Sequence, residues 1–174
     1  MEYTFTLKYK LSQEDANHAE LVERLGAAGC DDALVGIGLT GRIALQFTRE
    51  ASSAEAALVS ALGDVKRAIP GAKLIEAAPD FVGLTDVADV LGVTRQNMRK
   101  LMLSHAESFP PPVHEGSTSV WHLAEVMAWL QSRGTYAMVN ADMEVARTAM
   151  QINLANQVWG LQPKVRRGLR ALVV

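Results

Sequence analysis

The 174-residue chain is 49% hydrophobic and 21% charged with a formal net charge of −2, a globular composition that argues against intrinsic disorder. A single cysteine rules out an internal disulfide framework. No apolar run reaches membrane-spanning length, and Met1-Glu2-Tyr3-Thr4 lacks a basic segment leading into an apolar one, so a cytoplasmic protein without membrane association is expected. The charge is unevenly placed, net −4 through Asp80 and net +2 from Phe81 onward, which points to two modules with different partners.

Tyr3, Phe5, Leu7, Tyr9 and Leu11 alternate with polar residues and predict a strand. Ser12 and Asp15 are the candidate caps of a following helix that carries Leu21, Val22 and Leu25 and stops at Gly29. The apolar runs 33–39 and 42–47 predict a hairpin turning at Thr40-Gly41. A second helix starts at Ser52 or Ser53, carries Leu58, Leu62, Val65 and Ile69, and ends at Pro70-Gly71. Residues 72–78 read as a last strand. The order β-α-β-β-α-β over residues 1–79 predicts a ferredoxin-like module in an α+β protein, an architecture that names no function. Cys30 has no Cys or His neighbour and reads as a buried, inert thiol, and Asp31-Asp32 reads as a solvated turn. Gly36-Ile-Gly-Leu-Thr-Gly41 lies within the hairpin, not between a strand and a helix, so it is no phosphate loop. The module is expected to serve dimerisation, a protein partner or a small ligand.

Residues 80–102, DFVGLTDVADVLGVTRQNMRKLM, fit two helices with a tight joint. Thr85 caps the first in this reading, Gly92 makes the turn, and Thr94 caps a second helix over residues 95–102. Leu84, Val87, Ala88, Leu91, Val93, Met98 and Leu101 would close a small core, with Ala88 small where the helices cross. The outer face of the second helix keeps Arg95, Gln96, Asn97, Arg99 and Lys100. Those side chains suit nucleic acid: Arg pairs with guanine, Gln or Asn with adenine, and Lys or Thr with phosphate. Phe109-Pro110-Pro111-Pro112 gives a stiff extended entry, residues 113–121 read as a small hairpin, and His122 to Ser132 as a helix stopped by Gly134.

The ordered set LTDVADVLGVTRQNMRKL, FPPPV, Trp121 and EVMAWL resembles the winged helix-turn-helix proteins of the excisionase/AlpA type, related to MerR-like DNA-binding domains, over residues 81–134. The resemblance implies that Thr94, Arg95, Gln96, Asn97, Arg99 and Lys100 meet DNA. It implies further contacts from a wing that includes His114, Thr118 and Ser119. This wing has no Arg or Lys, a departure from the commonly basic wings of such proteins. Trp121 and Trp129 read as core, and His114 and His122 lack the spacing and cysteines of a metal site. No metal or cofactor is expected, and no catalytic set appears.

Residues 136–159 lack Gly and Pro and carry Val139, Met143, Ala146, Met150 and Leu154 at helical spacing, with Met138 as a further soft apolar residue. This long helix is expected to lack a core of its own and to pack on a second copy. Lys164, Arg166, Arg167 and Arg170 mark a basic tail, either solvated or phosphate-contacting. The sequence thus divides into 1–79, 80–134 and 135–174. It predicts a non-enzymatic, dimeric, double-stranded DNA-binding transcriptional regulator, a repressor, with an antitoxin or excisionase-like accessory protein as the alternative.

Overall fold

The computed structural model describes residues 1–160, except 13, 14, 16, 135, 137 and 138, together with residue 167. The protein is α+β, with a four-stranded antiparallel sheet, a two-stranded sheet and six helices among the described residues. β1 (Glu2–Lys10), α1 (His18–Ala27), β2 (Ala33–Ile37), β3 (Arg42–Glu50), α2 (Ala54–Ala68) and β4 (Lys73–Ala78) follow the expected order. The sheet runs β2-β3-β1-β4. Tyr3, Phe5, Leu7 and Tyr9 of β1 all face one core, which also holds Ile43, Leu45 and Phe47 from β3 and Leu21, Leu25, Leu58 and Val65 from α1 and α2. The period-two alternation read in β1 is therefore the burial pattern of a sheet with one covered face.

Local chemistry explains the boundaries. The α1 cap is Asn17, whose side chain accepts from the Ala19 and Glu20 N–H groups, and not Ser12 or Asp15. Asp15 is instead buried, accepting from Ser12 Oγ and Arg24 at 2.7 Å each, because a charged partner holds its carboxylate away from the helix end. Ser53 caps α2 through the Ala56 N–H at 3.1 Å. Gly41 takes φ +74° in the β2–β3 turn, a left-handed conformation that glycine adopts at least cost.

Asp32 is not a solvated turn residue. Its carboxylate accepts from Arg49 Nε at 2.7 Å and from the guanidinium at 2.9 Å. Arg49 also reaches Asp64 at 2.7 Å and the Gly29 carbonyl at 2.8 Å. The two carboxylates hold the Arg49 guanidinium firmly charged, with Asp32 making the largest contribution. Cys30 is buried beside this network. Burial, reinforced by the Asp64 charge, pushes its thiol up to about 11. An aromatic disulfide reagent at about pH 8 is therefore expected to titrate no thiol in the native protein and one after denaturation, because the thiolate is the reactive form.

α6 (Asn140–Trp159) does not stand free. It lies against α2, β1 and β4 on one side and against α5 (Leu123–Ser132) on another. Val145 and Ala149 enter the core of the four-stranded sheet, while Met143 and Ala146 enter a second core built from residues 82–130. The helix expected to lack a core of its own is shared by two. Val139 and Leu154, read as part of its buried stripe, are exposed. Met138 and the tail residues Lys164, Arg166 and Arg170 lie outside the described residues.

Polar contacts lock this arrangement. The Asn153 side chain accepts from the Ala77 N–H and donates to the Ala77 carbonyl, both at 2.8 Å, so it completes the outer edge of β4. Its amide also donates to Asp80 Oδ2 at 2.7 Å. Asp80 Oδ1 lies 2.7 Å from His122 Nδ1. In the tautomer with its proton on Nδ1, His122 donates to the Asp80 carboxylate. The Leu123 N–H donates to the Asp80 carbonyl at 2.7 Å, which ties the same residue to the start of α5. Asp80, Asn153 and His122 are all buried, and together they join the sheet, α6 and the second core.

Candidate nucleic-acid interface

β5 (Phe81–Val82) leads into α3 (Leu84–Val90) and α4 (Arg95–Ser104). The cap of α3 is Gly83 rather than Thr85. The Asp86 carboxylate reaches back to accept from the Gly83 N–H at 2.7 Å, which fixes the helix start two residues earlier than Thr85 would. Thr85 is left exposed in the first turn. The joint follows the sequence reading. Gly92 takes φ +65°, the Val93 N–H returns to the Ala88 carbonyl at 2.9 Å, and Thr94 Oγ1 accepts from the Asn97 N–H at 3.2 Å. Val87, Ala88 and Met98 are buried in the second core, with Leu84, Leu91, Val93 and Leu101 packed against it.

Beyond α4, Phe109 meets Trp121 and Trp129 edge-on, with ring centroids 6.1 and 5.0 Å apart. Trp121 Nε1 donates to the Pro110 carbonyl at 3.1 Å, so the proline stretch is pinned to the core. Trp121 is buried, and Trp129 packs against the same cluster, as their core reading requires. The hairpin is shorter than expected. His114 pairs with Val120 through a single antiparallel bridge. The next two residues, β6 (Trp121–His122), leave it to pair with β5, Val82 opposite Trp121 and Phe81 opposite His122. His122 thereby ends as a buried cap residue before α5.

Met98 points into the core, and the rest of the first two turns of α4 points to solvent: Thr94, Arg95, Gln96, Asn97, Arg99 and Lys100 are all exposed. α4 has no acidic residue in its first turn. Among the described residues, none forms an ion pair with Arg95, Arg99 or Lys100. Three uncompensated cations on one short helix attract an anion without first breaking an internal contact.

Arg95 and Arg99 share a cleft of about 420 Å³ with Gly83, Thr85, Ser117, Thr118 and Ser119. Four of the nine predicted residues, Arg95, Arg99, Thr118 and Ser119, are thus brought to one place, and Thr85, Ser117 and Gly83 join them. Thr85 was assigned a capping role in sequence, which hid its exposed hydroxyl. Gln96 and Lys100 line a separate depression with Arg99, Leu103 and Ser104, on the next strip of the same helix. Thr94 and Asn97 line neither. His114 is exposed at the hairpin base, with Nε2 only 2.8 Å from the position a Cβ on Gly116 would take. Its ring lies over the turn, and His114 does not line the cleft.

Among the described residues, no group of three or more His, Cys, Asp or Glu is placed to hold a metal ion. No described helix is long and apolar enough to cross a membrane. Residues 80–134 match the family model described as Prophage CP4-57 regulatory protein (AlpA), the stretch that carries the helix pair, the hairpin and α5. Comparison with curated proteins and with solved structures gave no match.

Proposed function

We propose that this chain is a sequence-specific double-stranded DNA-binding regulator of transcription, acting as a dimeric repressor. In this reading α3 and α4 are a helix-turn-helix, residues 113–120 are its wing, and α4 enters the major groove. The observation that carries the proposal is the set of free cations on α4, Arg95, Arg99 and Lys100, within a segment that matches a regulatory family. Arg95, Gln96 and Asn97 occupy the first turn, where base edges are met. Thr85, Thr118 and Ser119 supply hydroxyls at the cleft rim for phosphate oxygens. Because the wing has no cation of its own, its contacts are hydrogen bonds and contribute little to salt dependence. His114, turned over Gly116, is the weakest of the proposed contacts.

Residues 1–79 form a ferredoxin-like module in this account, supported by the element order and the strand order β2-β3-β1-β4. Its role is assembly or partner binding, and the protein is neither an enzyme nor membrane-bound, with the cytoplasm as its compartment. The acidic balance of the first 80 residues keeps one alternative: an antitoxin or excisionase-like factor whose module binds a basic protein.

A gel shift on DNA from upstream of the chain's own gene tests the reading, with a complex at low salt expected. Lys100→Ala is expected to weaken binding evenly across sequences and to reduce the slope of log affinity against log salt by about 1. Failure to bind any duplex at low salt, with a stable protein complex recovered instead, would replace this proposal with the partner-binding alternative.

A further inference from the structure

The four-stranded sheet closes one of its edges within the chain and leaves the other bare. At β4, Asn153 satisfies both backbone groups of Ala77 at 2.8 Å, and Asn156 donates to the Leu74 carbonyl at 3.1 Å. β2 is the terminal strand on the opposite side. Among the described residues, no other strand pairs with its outer edge. Unpaired edges are normally guarded by lysine, proline or a bulge. Residues 33–40, ALVGIGLT, contain no charge and no proline, and Leu34, Ile37 and Leu39 are 72%, 41% and 67% exposed.

We propose that β2 pairs antiparallel with β2 of a second copy, across a two-fold axis at Val35, so that two four-stranded sheets become one. The register follows from the chain's own ladder. The Thr48 N–H donates to the Asp32 carbonyl at 3.2 Å, and antiparallel bonding alternates residue by residue. Leu34 and Gly36 therefore bond inward to Gln46 and Ala44. Val35 and Ile37 present their N–H and C=O groups to the free edge and Ala33 its carbonyl, the Ala33 N–H being turned to the Cys30 carbonyl at 3.2 Å. An axis at Val35 sets Val35 against Val35 and Ala33 against Ile37, so the two Val35 residues exchange both their bonds and each Ile37 N–H finds an Ala33 carbonyl.

The side chains agree with a second copy as the occupant. Leu34 comes opposite Gly36 of the other chain, a large exposed side chain over a position with none. Gly36 is not required by its own chain, since a Cβ there would sit in ordinary contact, 3.6 Å from the Ala44 carbonyl. Exposed Asp31, just before β2, comes opposite Leu39 of the copy, at the turn that leads into exposed Arg42. A charged peptide would find no counter-charge along the strand itself, whereas a second uncharged edge fits it.

The functional meaning rests on the DNA-binding reading, because paired half-sites need two recognition helices, but the pairing is tested without DNA. Light scattering and sedimentation equilibrium on the full chain at micromolar concentration are expected to show a dimer. In L34K/G36K a lysine faces a lysine across the axis, twice over, and the chain is expected to become monomeric with an unchanged circular dichroism spectrum and a melting temperature that no longer depends on protein concentration. In L34K/G36E lysine faces glutamate, and the dimer is expected to return. The Val35 amide should be protected from hydrogen exchange in the wild type and exchange roughly tenfold faster or more in L34K/G36K. A monomeric wild type, a dimer that survives L34K/G36K, or a dimer with an unprotected Val35 amide would each overturn the pairing. A chain that dimerises this way but ignores DNA would defeat the functional reading alone.

Discussion

Asp80→Ala is expected to lower stability by about 3–5 kcal/mol, because it leaves two buried hydrogen-bond donors without an acceptor at about 1–3 kcal/mol each. Asp80 has a fully buried side chain and accepts from two buried donors, His122 Nδ1 and Asn153 Nδ2, at 2.7 Å each. Alanine leaves both donors without a partner and a void where the carboxylate was. For a chain of this size the melting temperature should fall by about 6–20 °C, at about 2–4 °C per kcal/mol.

Asp80→Asn keeps the volume and one acceptor. His122 can change tautomer to accept from the new amide, so the loss should be smaller, about 1–2 kcal/mol. Asn153→Ala removes the same contact from the other side and also uncovers the Ala77 backbone groups. A double-mutant cycle on Asp80 and Asn153 should therefore show a coupling of about 1 kcal/mol or more, since both residues belong to one network. Additive losses would mean that Asp80 does not hold α6 to the sheet. Thermal melts of the four proteins provide the measurement.

That network was not legible in the sequence. Its members are 42 and 73 residues apart, and no local periodicity connects them. His122 could be weighed only as a metal ligand or a helix residue, and Asn153 sat unnoticed near an apolar stripe. The same distance problem hid the role of Arg49, which gathers Asp32 and Asp64 from separate elements. α6 misled for a related reason. A single stripe through Val139, Met143, Ala146, Met150 and Leu154 describes a helix with one neighbour, whereas this helix buries Met143, Val145, Ala146, Ala149 and Asn153 against two. A wider, shifted face is the mark of a helix shared between cores.

What was legible rested on local chemistry. The alternation in β1 states which face is buried, because a strand turns successive side chains to opposite sides. Gly92 and Thr94 announce a turn and a cap, because few residues tolerate a positive φ or can accept from a helix N–H. The same signals misplace a helix start when two polar residues compete, as with Thr85 against Asp86 and Asp15 against Asn17. Side-chain reach decides those cases, and residue type alone does not contain it.

The solvent face of α4 was read from that local pattern, and it leads to the second large effect. Arg95 and Asn97 are exposed in the first turn of α4. The cap at this turn uses the Asn97 backbone N–H and the Thr94 hydroxyl. Alanine at both positions therefore removes two reading groups while the helix start, the Met98 core contact and the turn at Gly92 remain. A bidentate contact to a base contributes about 1–3 kcal/mol of discrimination. The double variant should lose roughly 100-fold or more in affinity for its site and keep its weak binding to unrelated duplex, which depends on Arg99 and Lys100.

The decisive measurement is the affinity of Arg95→Ala/Asn97→Ala for a duplex that the wild-type chain selects from a random pool, taken at fixed salt beside an unrelated duplex. The account predicts that the variant melts like the wild type and binds the two duplexes equally. A variant that still prefers the selected site by the wild-type margin would show that α4 does not read the sequence.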